Sequence, residues 1–103
     1  MIYESKNLYD QVFQFLRANG LCRSKADYSR CYFGRSRTYW NAIVGLNRPP
    51  SPEAIDTLIL ALENISTSGL GLSDRTNDAL GNFIYEIKAT AALRQKEVNY
   101  ASI

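Results

Sequence analysis

The 103-residue sequence predicts an all-α protein of five helices, the last of them long. Three observations carry that expectation. Apolar residues recur with a 3.6-residue period through nearly the whole chain, and no stretch alternates with period two. The interruptions consist of Gly, Pro, Ser, Asn and Asp, the residues that start and stop helices. A hydrophobic content of 46% suffices for one modest core, and the length has room for one domain. No apolar run approaches the roughly 18 to 20 residues of a membrane span, and "MIYESKNLYDQ" lacks the apolar centre of a signal peptide. A soluble, cytoplasmic chain with no membrane partner is therefore expected.

The elements follow in order. In "NLYDQVFQFLRANG", Leu8, Val12, Phe15 and Leu16 form one stripe, and Asn19-Gly20 supplies a stop, giving a first helix over roughly 6 to 18. "SKADYSRCYFG" follows as the second, with Ser24 as N-cap, Asp27 three residues on as a short capping box, and Gly34 as terminator. Ser36 can cap a third helix over roughly 37 to 45, with Trp40, Ile43 and Val44 as its apolar stripe. "LNRPPS" interrupts the pattern, because neither proline donates an amide and each restricts the residue before it. "SPEAIDTLILALENIS" restarts it, with Ser51 as N-cap, Pro52 at the first helical position, and Ile55, Leu58, Ile59 and Leu62 as the buried face. "STSGLGLSD", residues 66 to 74, reads as a flexible connector. Ser73 or Asp74 then caps the final helix, whose stripe is Leu80, Phe83, Ile84, Ile87 and Ala91. This divides the chain into a core over 1–65 and a connector with C-terminal helix over 66–103.

Net charge is only +2, but its distribution is uneven. Residues 17 to 48 carry seven cations (Arg17, Arg23, Lys25, Arg30, Arg35, Arg37, Arg48) against Asp27 alone, a net +6, while the remainder is net −4. A basic middle suits a face that meets phosphates; it suits a solvated arginine-rich surface equally well. Cys22 and Cys31, with no histidine in the chain, cannot complete a four-ligand zinc site and read as reduced structural thiols. The chain has no histidine, no phosphate-cradling glycine loop and no clustered carboxylates. Enzymatic function and a cofactor are therefore not expected.

The stretch "FGRSRTYWNAI", residues 33 to 43, joins the second and third helices through a glycine. Glycine lets the chain turn in a left-handed conformation, apolar residues of the later helix lock it down, and polar residues at its start face outward. "GRSRTYWNAIVGLNRPPS", residues 34 to 51, resembles the turn, recognition helix and following loop of the lambda-repressor/Cro-like (Xre) helix-turn-helix family. The matching positions are Gly34, Ser36 and Arg37, then Trp40 and Ile43, then Arg48, Pro50 and Ser51, and the match continues without a gap through "SPEAIDTLILALE". Two departures stand out. Arg35 replaces an apolar residue after the glycine. Four positions before the glycine, where the family has a small residue, this chain has Arg30; Ser29 lies one step earlier, as though helix two carried one extra residue.

The resemblance implies a five-helix lambda-repressor-like helix-turn-helix domain that binds double-stranded DNA sequence-specifically as a transcription regulator, nucleoid-associated when bound. It implies base reading by Ser36, Arg37, Thr38 and Asn41 and phosphate contact by Lys25, Arg35, Asn47 and Arg48. The chemistry agrees: Arg37 can pair with guanine O6 and N7, Asn41 with adenine N6 and N7, and Thr38 can touch a thymine methyl. Trp40 reads as core rather than as a stacking platform, and the cluster Tyr28, Tyr32, Phe33 and Tyr39 as core filling rather than a ligand pocket, while in the geometry the resemblance implies Tyr39 suits either base or phosphate contact. Arg30 suits a phosphate or an interior pairing with Asp27 or a helix end. A homodimer is expected, because one recognition helix reads too few base pairs, with Leu80, Phe83, Ile84, Ile87 and Ala91 as the dimerisation stripe. The same stripe can instead fold back on helix one against Tyr9 and Phe13. A rival reading keeps the fold but gives it a protein partner, as an interaction module or antitoxin.

Overall fold

A computed structural model describes the backbone of residues 2–68 and 71–101 and the side chains of residues 8–68 and 71–93. It contains five helices and, among the described residues, no strand. Helix α1 (Ile2–Ala18) begins earlier than the apolar stripe alone predicts. It ends as expected: Gly20 is left-handed at φ 69°, its amide bonds to Arg17 O, and the Leu21 amide reaches back to Leu16 O at 2.8 Å. This paired closure satisfies carbonyls that the helix end leaves open.

Helix α2 (Lys25–Asp27) runs directly into a π-helical turn (Tyr28–Tyr32). Ser24 caps it, its Oγ accepting from the Asp27 amide at 3.1 Å. The Asp27 carboxylate reaches back one residue further than a capping box does, accepting from the Arg23 amide at 3.2 Å. Within the π turn the Phe33 amide donates to Tyr28 O, five residues back. A π turn accommodates one residue more than an α turn between the same hydrogen-bonded ends. The extra residue suggested by the spacing of Ser29, Arg30 and Gly34 thus coincides with a local change of helix type.

Helix α3 (Tyr39–Gly45) starts two residues later than predicted, and Ser36 does not cap it by its side chain. Only the Ser36 carbonyl takes part, accepting from the Tyr39 amide at 3.0 Å. Trp40 and Ile43 are buried as expected, but Val44 is 37% exposed and leaves the predicted stripe. Beyond α3 the chain closes through Asn47, left-handed at φ 56°, with Asn47 N to Val44 O and Arg48 N to Ile43 O. Asn tolerates that conformation better than most residues.

Helix α4 (Pro52–Thr67) is capped by Ser51 and buries Ala54, Ile55, Leu58 and Leu62, with Ile59 partly covered. It continues through Ser66 and Thr67, which shortens the predicted connector; Gly69 and Leu70 lie outside the described residues. Ser73 rather than Asp74 supplies the cap of α5 (Asp74–Ala101), its Oγ accepting from the Thr76 amide at 3.2 Å.

Among the described residues the core is one cluster joining α1, the π turn, α3, α4 and α5. Its centre is aromatic: the Tyr28 ring lies 5.2 Å from Phe13, 4.7 Å from Phe33 and 5.1 Å from Trp40. The α5 stripe closes one side of it, against α4 and α1. Leu80 and Ile87 are fully buried within the single chain, while Phe83, Ile84 and Ala91 are partly buried. Phe83 meets Phe15 of α1 at 5.2 Å, and Tyr9 and Phe13 belong to the same buried cluster as Leu80 and Ile87. Two residues of the predicted dimerisation stripe, Leu80 and Ile87, therefore lie in the chain's own core.

Candidate nucleic-acid interface

The segment from Ser29 to Ser51 is held by three side chains that reach across it. Ser29 is fully buried; its hydroxyl donates to Lys25 O at 2.9 Å and accepts from the Trp40 amide at 2.9 Å. It thereby caps α3 from the neighbouring helix and satisfies an amide that α3 leaves open. A small polar residue is needed there, because α3 crosses the π turn at this point. Ser29 is the small residue at this crossing, and the exposed Arg30 takes the next position.

Gly34 makes the turn, left-handed at φ 65° as expected. A Cβ added there would meet Thr57 Cγ2 of α4 at 3.2 Å, so the position combines backbone conformation with close approach. Tyr39 ties the start of α3 to the start of α4: its hydroxyl accepts from the Ser51 amide at 2.9 Å, and its ring lies 5.7 Å from Phe33. Trp40, 3% exposed, stacks on Phe33 at 5.9 Å and is core.

The candidate contact residues all lie on the surface. Lys25, Arg35, Ser36, Arg37, Thr38, Asn41, Asn47 and Arg48 are each exposed. Because α3 starts at Tyr39, Ser36, Arg37 and Thr38 sit in the turn that precedes it, and Asn41 is the one proposed base reader within the helix. The Ser36 and Thr38 hydroxyls approach each other at 3.5 Å.

The cations divide into engaged and open groups. Arg35 donates to Ser51 Oγ and Glu53 Oε2, each at 3.3 Å, and lies over the Tyr39 ring at 5.9 Å from its centre. Arg23 pairs with Asp27 at 3.4 Å, so the interior pairing considered for Arg30 is made by Arg23, at the surface. Asp27 is held below the ordinary carboxylate range, first by the hydrogen bond from the Arg23 amide and further by the Arg23 side chain. Among the described residues, none forms an ion pair with Lys25, Arg30, Arg37 or Arg48. Arg17 is exposed and outside the ion pairs as well, so five cations of the basic segment stand at the surface without one among the described residues.

Sequence reasoning missed Ser29, Glu53 and the Tyr39–Ser51 bond. Each works through a contact 11 to 18 residues distant in sequence, which helical periodicity does not register. The thiols also separate: Cys22 is buried and donates to Ser24 O at 3.3 Å, whereas Cys31 is exposed and is not a core thiol. Among the described residues no helix is long and apolar enough to cross a membrane, and no group of metal-ligating side chains gathers. The model of a family of unknown function, DUF6626, matches residues 9–100. No curated protein and no solved structure matches the chain.

Proposed function

The chain belongs to the DUF6626 family of unknown function, and from the geometry of α2, the Gly34 turn and α3 we propose that it is a sequence-specific double-stranded DNA-binding transcription regulator. In this reading it is a helix-turn-helix protein of lambda-repressor/Cro-like type, acting as a homodimer at an operator. The observation that carries the reading is the division of α3 and its turn. Trp40 and Ile43 anchor the helix in the core, while Arg37, Thr38 and Asn41 are exposed to solvent, as are the cations Lys25, Arg30 and Arg48 of the same basic segment. A surface with amide and guanidinium donors can read base edges, and flanking point charges can hold phosphates.

Arg35 has a different standing from the other phosphate candidates. It is already bonded to Glu53, so contact with DNA requires it to exchange that partner. Lys25, Arg48 and Asn47 remain the primary phosphate contacts in this reading, with Arg30 added by its exposure.

The rival reading, a protein-interaction module, draws on Val44 and Leu46, exposed by 37% and 64% at the end of α3. Salt dependence separates the two. With about four phosphates contacted per protomer, log affinity for duplex DNA should fall against log salt with a slope of about −3 to −4 per protomer. Fluorescence anisotropy on a labelled duplex measures it, and a flat response overturns the DNA reading. On a selected site, Arg37→Ala should cost about 1 to 3 kcal/mol and relax preference at one base pair, while Arg48→Ala weakens all sequences alike.

A further inference from the structure

Two consecutive residues at the start of α3 are tied to different neighbours. The Trp40 amide is held by Ser29 of the π turn, and the Tyr39 hydroxyl accepts from the amide of Ser51, the N-cap of α4, at 2.9 Å. The rest of α3 is lightly held. Of its seven residues Trp40 and Ile43 alone are buried, whereas α4 buries Ala54, Ile55, Leu58 and Leu62 and stands as the fixed frame. Two apolar side chains on so short a helix fix where it lies better than how it is tilted or rotated, and directional hydrogen bonds fix the remainder. We propose that Tyr39 is a positioning residue for base reading: it touches no DNA, and its hydroxyl sets the pose of α3 against α4 so that Arg37 and Asn41 meet base edges together.

The surroundings of Tyr39 suit a strut. Its side chain is half-buried, with the ring 5.7 Å from Phe33 and beneath the Arg35 guanidinium at 5.9 Å. Arg35 in turn donates to Ser51 Oγ at 3.3 Å, so Tyr39 and Ser51 are joined twice, once directly and once through Arg35. The Ser51 amide is one of the donors that the start of a helix leaves without an internal partner, and Tyr39 satisfies it from another helix. The pose matters for one kind of contact more than the other. Paired hydrogen bonds to a base edge weaken steeply with misalignment, whereas attraction to the duplex follows the number of cations brought to phosphates. Loosening the tie therefore lowers discrimination between sequences and leaves generic attraction in place.

The inference rests on the DNA reading in the proposed function. Tyr39→Phe keeps the ring and removes the hydroxyl. In fluorescence anisotropy on the full chain, preference for a site obtained by random-sequence selection over random duplex should fall about two- to tenfold, the worth of one hydrogen bond. Affinity for random duplex and its salt slope should not change; a merely less stable fold moves both affinities together. A base contact by Tyr39 would also lower preference, and the Ser51 amide separates the two cases. Ser51 lies at φ −67°, a value proline adopts, so Ser51→Pro removes the amide without forcing the backbone, while Ser51→Ala keeps the amide and removes only the hydroxyl. The effect of Tyr39→Phe should vanish on the Ser51→Pro background and persist on Ser51→Ala. Without DNA, residual dipolar couplings should report a changed or more averaged orientation of α3 against α4 in Tyr39→Phe. Unchanged couplings, equal losses on selected and random duplex, or a Tyr39→Phe effect that survives in Ser51→Pro each overturn this inference while leaving the DNA reading intact. A wild-type chain with no affinity for any duplex overturns the DNA reading and this role with it.

Discussion

Ser29 uses one hydroxyl to satisfy two backbone groups, Lys25 O and the Trp40 amide, inside a fully buried site. Removing it strands a buried donor, and that asymmetry makes the residue costly to lose: Ser29→Ala should destabilise the protein by about 1 to 3 kcal/mol in denaturant titration. Hydrogen exchange of the Trp40 amide should accelerate in the same variant, whereas a purely volumetric effect would leave that amide protected. Trp40→Ala should cost more, about 3 to 5 kcal/mol, because a buried indole between Tyr28 and Phe33 is removed. Glu53 offers a complementary reading of the surface. If Arg35 is a latent phosphate contact, Glu53→Gln should steepen the salt slope of duplex binding by up to about 0.9 per protomer. An unchanged slope would mean that Arg35 stays on Ser51 and Tyr39 when DNA binds.

At the scale of elements, the Gly34 turn is the most constrained point. Gly34→Ala meets a left-handed backbone, worth about 1 to 2 kcal/mol, and a Cβ placed 3.2 Å from Thr57 Cγ2. Combining it with Thr57→Ser, which removes that methyl, should recover the steric part in thermal melts and leave the backbone part. Helix ends carried by local signals were legible in the sequence: Asn19-Gly20, Ser24, Gly34 and Ser51-Pro52 each act within four residues of themselves. The start of α3 was not, because its cap comes from Ser29, eleven residues away, and displaces the role that Ser36 would have had. The π turn was visible only as an odd spacing between Ser29 and Gly34. The exposed surface positions of the candidate interface were legible, since solvent-facing residues follow from the burial of Trp40 and Ile43. The engagement of Arg35 was not, since Glu53 lies on another helix.

For the molecule as a whole, α5 belongs to the same core as the π turn, α3 and α4, because Leu80 and Ile87 are as fully buried as Leu58 and Leu62 and join one cluster with Tyr28 and Trp40. A chain ended at residue 70 should therefore lose its cooperative thermal transition rather than yield a stable monomeric core. The core's phenols also set an alkaline limit. Burial pushes Tyr32 up to about 12, Tyr28 well above its ordinary value, and the Cys22 thiol upward. A raised acid is favoured in its neutral form by the fold, so this contribution is whole below the unfolded values, near 9 for Cys22 and 10 for the tyrosines. It is lost as pH rises through the folded ones. Unfolding midpoints should fall from about pH 9 toward pH 12, and Tyr32→Phe should flatten the upper part of that decline. The length of α5 has a further consequence, in how the molecule tumbles. At about 1.5 Å per residue its 28 residues span about 42 Å, close to the longest dimension of 47 Å and well beyond the 26 and 21 Å of the others. Rotational diffusion is therefore anisotropic, and α5 lies near the long axis, whose end-over-end reorientation is the slow motion. Amide vectors along α5 should show higher transverse to longitudinal relaxation-rate ratios in nitrogen-15 relaxation than vectors lying across that axis.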